Sequence, residues 1–284
     1  MARHHHVRRL VPLVVTGLLL AACGQQQAGE TPAAAGEVTE LAHVHGLGVD
    51  PADGALYAAS HHGVFRVSDG GEPVKVSETQ DTMGFTVVGP GHFLGSGHPS
   101  PDDTDRPPHL GLIESTDTGR TWRTLSLSGE VDFHALEAKH GQVYGFDSQT
   151  QQVMVSTDRK TWDRRARLSL ADFAVDPADP DTLLATTEQG LARSTDGGRT
   201  FTPVPNAPTL LLVDWPAEST LVAVSPDGTV QRSSDSGATW TSAGSAPGAP
   251  EALATRGPSE IYVATDGGIH RSADGGASFT SVDG

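Results

Sequence analysis

Ser115-Thr116-Asp117-Thr118-Gly119-Arg120-Thr121-Trp122 decides the fold, because it returns along the chain. Full copies begin at Ser194, Ser233 and Ser272 and end on Phe201, Trp240 and Phe279. Ser156-Thr157-Asp158 leads through Thr161 to Trp162 with one residue fewer, and Ser68-Asp69-Gly70-Gly71 is a worn first copy. The aspartates fall at 69, 117, 158, 196, 235 and 274, and the last three intervals are 38, 39 and 39 residues. A fixed period of about 40 residues marks a solenoid, a propeller or an array.

Each unit carries its own turn chemistry. Ser and Asp side chains bond the backbone N–H groups of their own turn, Gly accepts positive φ, and the closing aromatic anchors the turn on a sheet. Between turns lie short apolar runs. In the first unit these are Leu47-Gly48-Val49, Ala55 to Ala59 and Val64-Phe65-Arg66-Val67, parted by turn residues such as Pro51-Ala52-Asp53-Gly54. That is an antiparallel meander of four strands. Six units fit, at about 41–78, 79–128, 129–169, 170–207, 208–245 and 246–284. The expected fold is all-β, a six-bladed propeller of four-stranded antiparallel blades over 37–284. Val38-Thr39-Glu40-Leu41 is available to pair with the last blade's outer strand and close the ring.

The turn resembles the Asp-box, or BNR repeat, S-x-D-x-G-x-T-W, found in sialidases, sortilin-like receptors and photosystem-assembly propellers. By that resemblance Asp117, Asp158, Asp196, Asp235 and Asp274 are structural residues of outer turns, away from any active site.

Residues 1–22 read as an export signal: Arg3, Arg8 and Arg9, then an apolar run from Leu10 to Ala22 that is short for a membrane span. Leu20-Ala21-Ala22-Cys23-Gly24 resembles a bacterial lipobox, which implies lipidation of Cys23 and anchorage to the outer side of the cell membrane. Residues 23–36 read as a flexible tether. Cys23 is the single cysteine, so neither a disulfide framework nor a cysteine metal site is available. Removing the signal takes the net charge from −16 to −19, and lysine stands only at 75, 139 and 160. Such an acidic body excludes nucleic acid as a partner.

Connectivity sorts the histidines. In an antiparallel blade, the start of the first strand and the turn between strands two and three share one face. Nine of the ten histidines after the signal lie between 43 and 140. His45 and His134 open the innermost strands of blades one and three, with Met83 at the same level of blade two. His61 and His62 form a strand 2–3 turn; His98 and His109 bracket the inserted loop 99–110. His92 and His140 go to the opposite rim, and His43, rather than His45, is expected to point away from the axis. Imidazoles converging with carboxylate or thioether suit zinc or copper. The expected metal ligands are therefore His45, His98 and His134, then His61, His62 and His109, in a site built by blades one to three.

Enzyme chemistry has weaker footing. A sialidase needs three arginines, usually one from an Arg-Ile-Pro motif, which is absent here. Arg66, Arg193, Arg232 and Arg271 all precede an Asp-box, and Tyr57, Tyr144 and Tyr262 share one repeat position. Asp132, Asp81 and Asp147 are the candidate carboxylates for a two-carboxylate glycosidase. His43 to Asp50, Met83 to Thr86, Ser96 to Pro99 and Gly111 to Ser115 resemble a group of bacterial lipoprotein propellers commonly described as glycosyl hydrolases. Three functions follow as expectations: a binding module holding zinc, copper or a metal-dependent partner; a sialidase-like hydrolase acting on a glycan; and an assembly factor docking another exported protein.

Overall fold

The computed structural model describes residues 41–282, so the export segment, Cys23 and its tether lie outside the described residues. Blade one is β1 (Val44–Val49), β2 (Leu56–Ser60), β3 (Gly63–Val67) and β4 (Val74–Lys75). Blade two is β5 (Gln80–Gly89), β6 (His92–Pro99), β7 (Leu112–Ser115) and β8 (Arg123–Ser126). Blade three is β9 (Phe133–Lys139), β10 (Gln142–Asp147), β11 (Gln152–Ser156) and β12 (Asp163–Arg167). Blade four is β13 (Leu170–Val175), β14 (Leu183–Thr187), β15 (Gly190–Ser194) and β16 (Thr202–Pro203). Blade five is β17 (Leu212–Ala217), β18 (Thr220–Val224), β19 (Thr229–Ser233) and β20 (Thr241–Ser245). Blade six is β21 (Pro250–Arg256), β22 (Glu260–Thr265), β23 (Gly268–Ser272) and β24 (Thr280–Ser281). Each blade is an antiparallel sheet in sequence order, as the repeat predicts. The inserted loop separates β6 from β7.

Strand alternation puts one set of side chains on each face of a blade. Leu56 and Ala58 pack toward blade six, whereas Tyr57 and Ala59 pack toward blade two. The core is accordingly six clusters, one at each junction between neighbouring blades. Among the described residues, blade six is completed by its own strand β24. Leu41 packs in the cluster at the seam between blades six and one, while Val38–Glu40 lie outside the described residues.

The Asp-box turns close on themselves. Ser115 Oγ accepts from Gly119 N at 2.9 Å and donates to Asp117 Oδ1 at 2.8 Å. Asp117 also accepts from Thr121 N and Thr121 Oγ1 at 2.9 and 2.7 Å. The copies at Ser194, Ser233 and Ser272 repeat the pattern. In the short third copy Arg159 takes the left-handed position, φ 61°, and its N–H meets Ser156 Oγ. Hydrogen bonds from Thr239 and Ser278 hold the Asp235 and Asp274 carboxyls down to about 2.

Arginines then tie blades four, five and six each to the next. Arg193 donates to Ser236 O, and Arg232 to Gly275 O at 3.0 Å, each in the following blade's Asp-box. Arg271 meets Asp69 of the worn first copy across the seam at 3.4 Å.

Ser233→Ala removes the acceptor of the buried Gly237 N–H. It is expected to lower stability by about 1–3 kcal/mol in urea unfolding, while exposed Ser234→Ala leaves it within about 0.5 kcal/mol.

Candidate functional site

The innermost strands share a further device. In β1, Val44 pairs with Ser60 but Gly46 pairs with Ala59, so His45 is an extra residue in the ladder. Equivalent shifts single out Met83 in β5, His134 in β9, Ala171 in β13 and Glu251 in β21. A bulge re-aims its side chain, and here it recurs in five blades at the entrance to the axis.

The axis encloses a cavity of about 410 Å³. All six inner strands line it, His45, His134, Glu137, Asp172, Asp214 and Glu251 among them. The expectation of a cavity built by blades one to three is thereby corrected, because a ring of equivalent strands leaves none out. What is confined to those blades is the histidine content.

At four junctions a carboxylate on an inner strand accepts the N–H of the next inner strand. Glu137 receives Val175 N at 2.7 Å, Asp172 receives Val213 N at 2.9 Å, Asp214 receives Thr255 N at 3.0 Å, and Glu251 receives Val44 N at 2.9 Å. Lys139 pairs with Glu137 at 2.5 Å and also reaches Val175 O and Trp215 O. Enclosure inside the ring pushes Asp172 up to about 7, with the neighbouring Asp214 and Glu137 adding to it. Glu137 is raised for the same first reason, burial, against the opposing pull of Lys139.

The other two junctions use histidine. Between blades one and two, Asp81 Oδ1 lies 3.3 Å from His45 Nε2 and 3.0 Å from His61 Nδ1, and the two nitrogens are 3.1 Å apart. Burial lowers the His45 imidazole against the pull of Asp81. Asp81 is also lowered: burial would raise it, but the bonds and charges of His45 and His61 outweigh that. The His43 ring meets the His45 ring edge-on at 4.9 Å and stacks on His61 at 5.6 Å. His45, and not His43, lines the axial cavity, so His43 sits beside the two rings from outside the axis. Its Nδ1 bonds Glu251 Oε1 at 2.7 Å.

Between blades two and three, Asp132 Oδ2 accepts from His134 at 2.9 Å and Ser148 Oγ at 3.1 Å, and lies 3.4 Å from His98 Nε2. His98 Nδ1 sits 2.8 Å from Pro108 O, and the His109 ring lies beside it at 5.4 Å. Asp132 Oδ1 and His109 Nδ1 are buried without a hydrogen-bond partner. Asp132 is held low: burial works against it, and His134, His98 and Ser148 overcome that.

The six expected ligands thus divide. His45 and His61 gather with Asp81, and His98 and His109 with Asp132; each trio could hold a metal ion. His134 bonds the carboxylate of the second trio, and His62 belongs to neither. His45 and His134 do occupy equivalent positions, but a junction separates their groups. Asp81 and Asp132, read as catalytic carboxylates, are the anionic members of these trios. Asp147 is spent on its own turn, accepting from Thr150 Oγ1 at 2.5 Å and Gln149 N at 3.3 Å. Glu251 was missed; its repeat position, equivalent to His45, is the signal that finds it. His92 pairs with Glu114 and His140 with Asp176 O, apart from both trios.

The fold is shared with solved propellers. One is YCF48 bound to D1 peptide, at TM-score 0.54 and 17% identity over 87% of this chain and 82% of that one. YCF48 from Cyanidioschyzon merolae gives TM-score 0.54 at 14% identity, over 84% and 95%. A GH74 xyloglucanase from Xanthomonas campestris gives 0.52 at 18% identity, over 87% of this chain but only 39% of the enzyme. No protein-family model and no curated protein matches. At 14–18% identity these likenesses show the fold alone, a β-propeller that the chain shares with YCF48 and with a GH74 xyloglucanase.

The raised Asp172 carboxyl makes a pH prediction. Between the ordinary carboxylate range and about 7, the native state holds a proton that the unfolded chain has released. Stability therefore falls as pH rises through that window, by at most about 1.4 kcal/mol per pH unit. In Asp172→Asn the fall in urea midpoint between about pH 5 and pH 8 is expected to shrink.

Proposed function

We propose that this chain is an exported, Cys23-anchored binding propeller that docks a segment of another exported protein at the histidine-lined mouth of its axis. The carrying observation is the asymmetry of that mouth. Four junctions are closed by carboxylate-to-backbone bonds, whereas the two flanking blade two present His43, His45, His61, Asp81, His98 and His134 as side chains. A propeller of the same fold has been solved with a peptide bound, which supports a peptide-like occupant here.

A sialidase-like hydrolase draws less support. Arg193, Arg232 and Arg271 are engaged between blades, Tyr144 OH donates to Pro180 O, and Tyr262 OH to Glu260. The carboxylates Asp81 and Asp132 face histidines, not an open substrate groove.

Photo-crosslinking in the exporting cell tests the docking. A crosslinking residue at His62 or Asp102, on the mouth side, is expected to trap a defined exported protein; one at Glu218, in the opposite turn of blade five, is not. Equal trapping from both faces, or glycan turnover abolished by Asp81→Asn, would overturn the proposal.

A further inference from the structure

The contacts among His45, His61 and Asp81 do not close as hydrogen bonds. Three atoms form a triangle: His45 Nε2, His61 Nδ1 and Asp81 Oδ1, with edges of 3.1, 3.0 and 3.3 Å. If both nitrogens carry hydrogen, two N–H groups face one another across 3.1 Å. If only His45 Nε2 does, the His61 lone pair faces a carboxylate oxygen at 3.0 Å. If only His61 Nδ1 does, the His45 lone pair faces that oxygen at 3.3 Å. With Asp81 ionised, each of these patterns leaves one edge repulsive.

A cation relieves all three edges at once. Imidazole nitrogen and carboxylate oxygen bind zinc at about 2.0–2.2 Å, which sets tetrahedral ligand atoms about 3.3 Å apart. The triangle already has nearly that size without any side chain moving. We infer that His45, His61 and Asp81 are a binding site for one divalent transition ion of the zinc or copper class, with its fourth position open toward the mouth. Two imidazoles and one carboxylate are the donor set that favours such ions over magnesium or calcium. The bulge at His45 and the tight turn at His61 fix two ligands from one blade, and Asp81 arrives from the next, so the ion would join blades one and two. His43 lies beside the site, bonded to Glu251, and is the nearest further donor.

The second trio makes the more demanding comparison. Its Asp132 Oδ2 lies 3.4 Å from His98 Nε2 but already holds His134 and Ser148. It would need rearrangement to take an ion. The proposal therefore commits to the first trio, and it stands whether or not a protein docks at the mouth.

The test is titration of untagged residues 38–284 with zinc and with copper(II). This span is one compact unit carrying all six blades, and it lacks His4, His5 and His6, which would bind metal by themselves. His61 is half exposed in a turn, so His61→Ala keeps the fold while removing a ligand. Wild type is expected to take up an ion tightly, and His61→Ala and Asp81→Asn to weaken that uptake by about 100-fold or more. His140→Ala, on the far rim, should match wild type. The melting temperature should rise with ion concentration in wild type and not in the two ligand variants. Cobalt(II) in wild type should give the intense visible bands of a four-coordinate site. No uptake by wild type would overturn the inference. So would undiminished uptake by His61→Ala, or loss only in His98→Ala/His109→Ala, which would move the ion to the second trio.

Discussion

The structure depends on how each inner strand disposes of its free edge. An inner strand pairs with one neighbour only, and its other backbone groups face the axis and the adjoining blade. Unpaired N–H groups there would be costly once enclosed. At four junctions an acidic side chain reaches across and accepts one of them, as Glu137 does for Val175 and Asp172 for Val213. These bonds run in one direction around the ring, always from one blade to its successor. They gather carboxylates around an enclosed cavity, and the raised Asp172 and Glu137 carboxyls are the electrostatic result.

Where that device is missing, function has room. The blade one–two and two–three junctions instead bring backbone close to backbone. A Cβ on Gly84 would stand 2.5 Å from Phe133 O, and one on Gly46 would stand 3.0 Å from the Phe85 Cβ. At these junctions the bulged His45 and His134 meet Asp81 and Asp132. The same scaffold thus carries a carboxylate arc and a histidine arc, differing by a few residues on equivalent strands.

Much of this was legible before any coordinates. The Asp-box period gave blade number and strand count, and the Asp-box resemblance implied the structural role of Asp117, Asp158, Asp196, Asp235 and Asp274, whose turns are satisfied by their own residues. Repeat register also placed His45 and His134 at equivalent points. The partition into two trios was not legible. It depends on which carboxylate crosses a junction, and a period of 40 or so residues says nothing of side-chain reach. Asp81 and Asp132 looked like acids in want of a substrate because their partners are distant in sequence or set by a bulge.

The seam between blades six and one carries a last consequence. Leu41 and Val282 pack in a single cluster there, Gly70 N reaches Val282 O at 3.1 Å, and Arg271 meets Asp69. The described chain thus leaves the ring where it entered, and every blade is made from one uninterrupted piece of sequence. Joining those ends and cutting any other inter-blade linker would preserve all six sheets. Circular permutation is therefore open to this ring at the five other junctions, and none of its blades has a topological claim to come first.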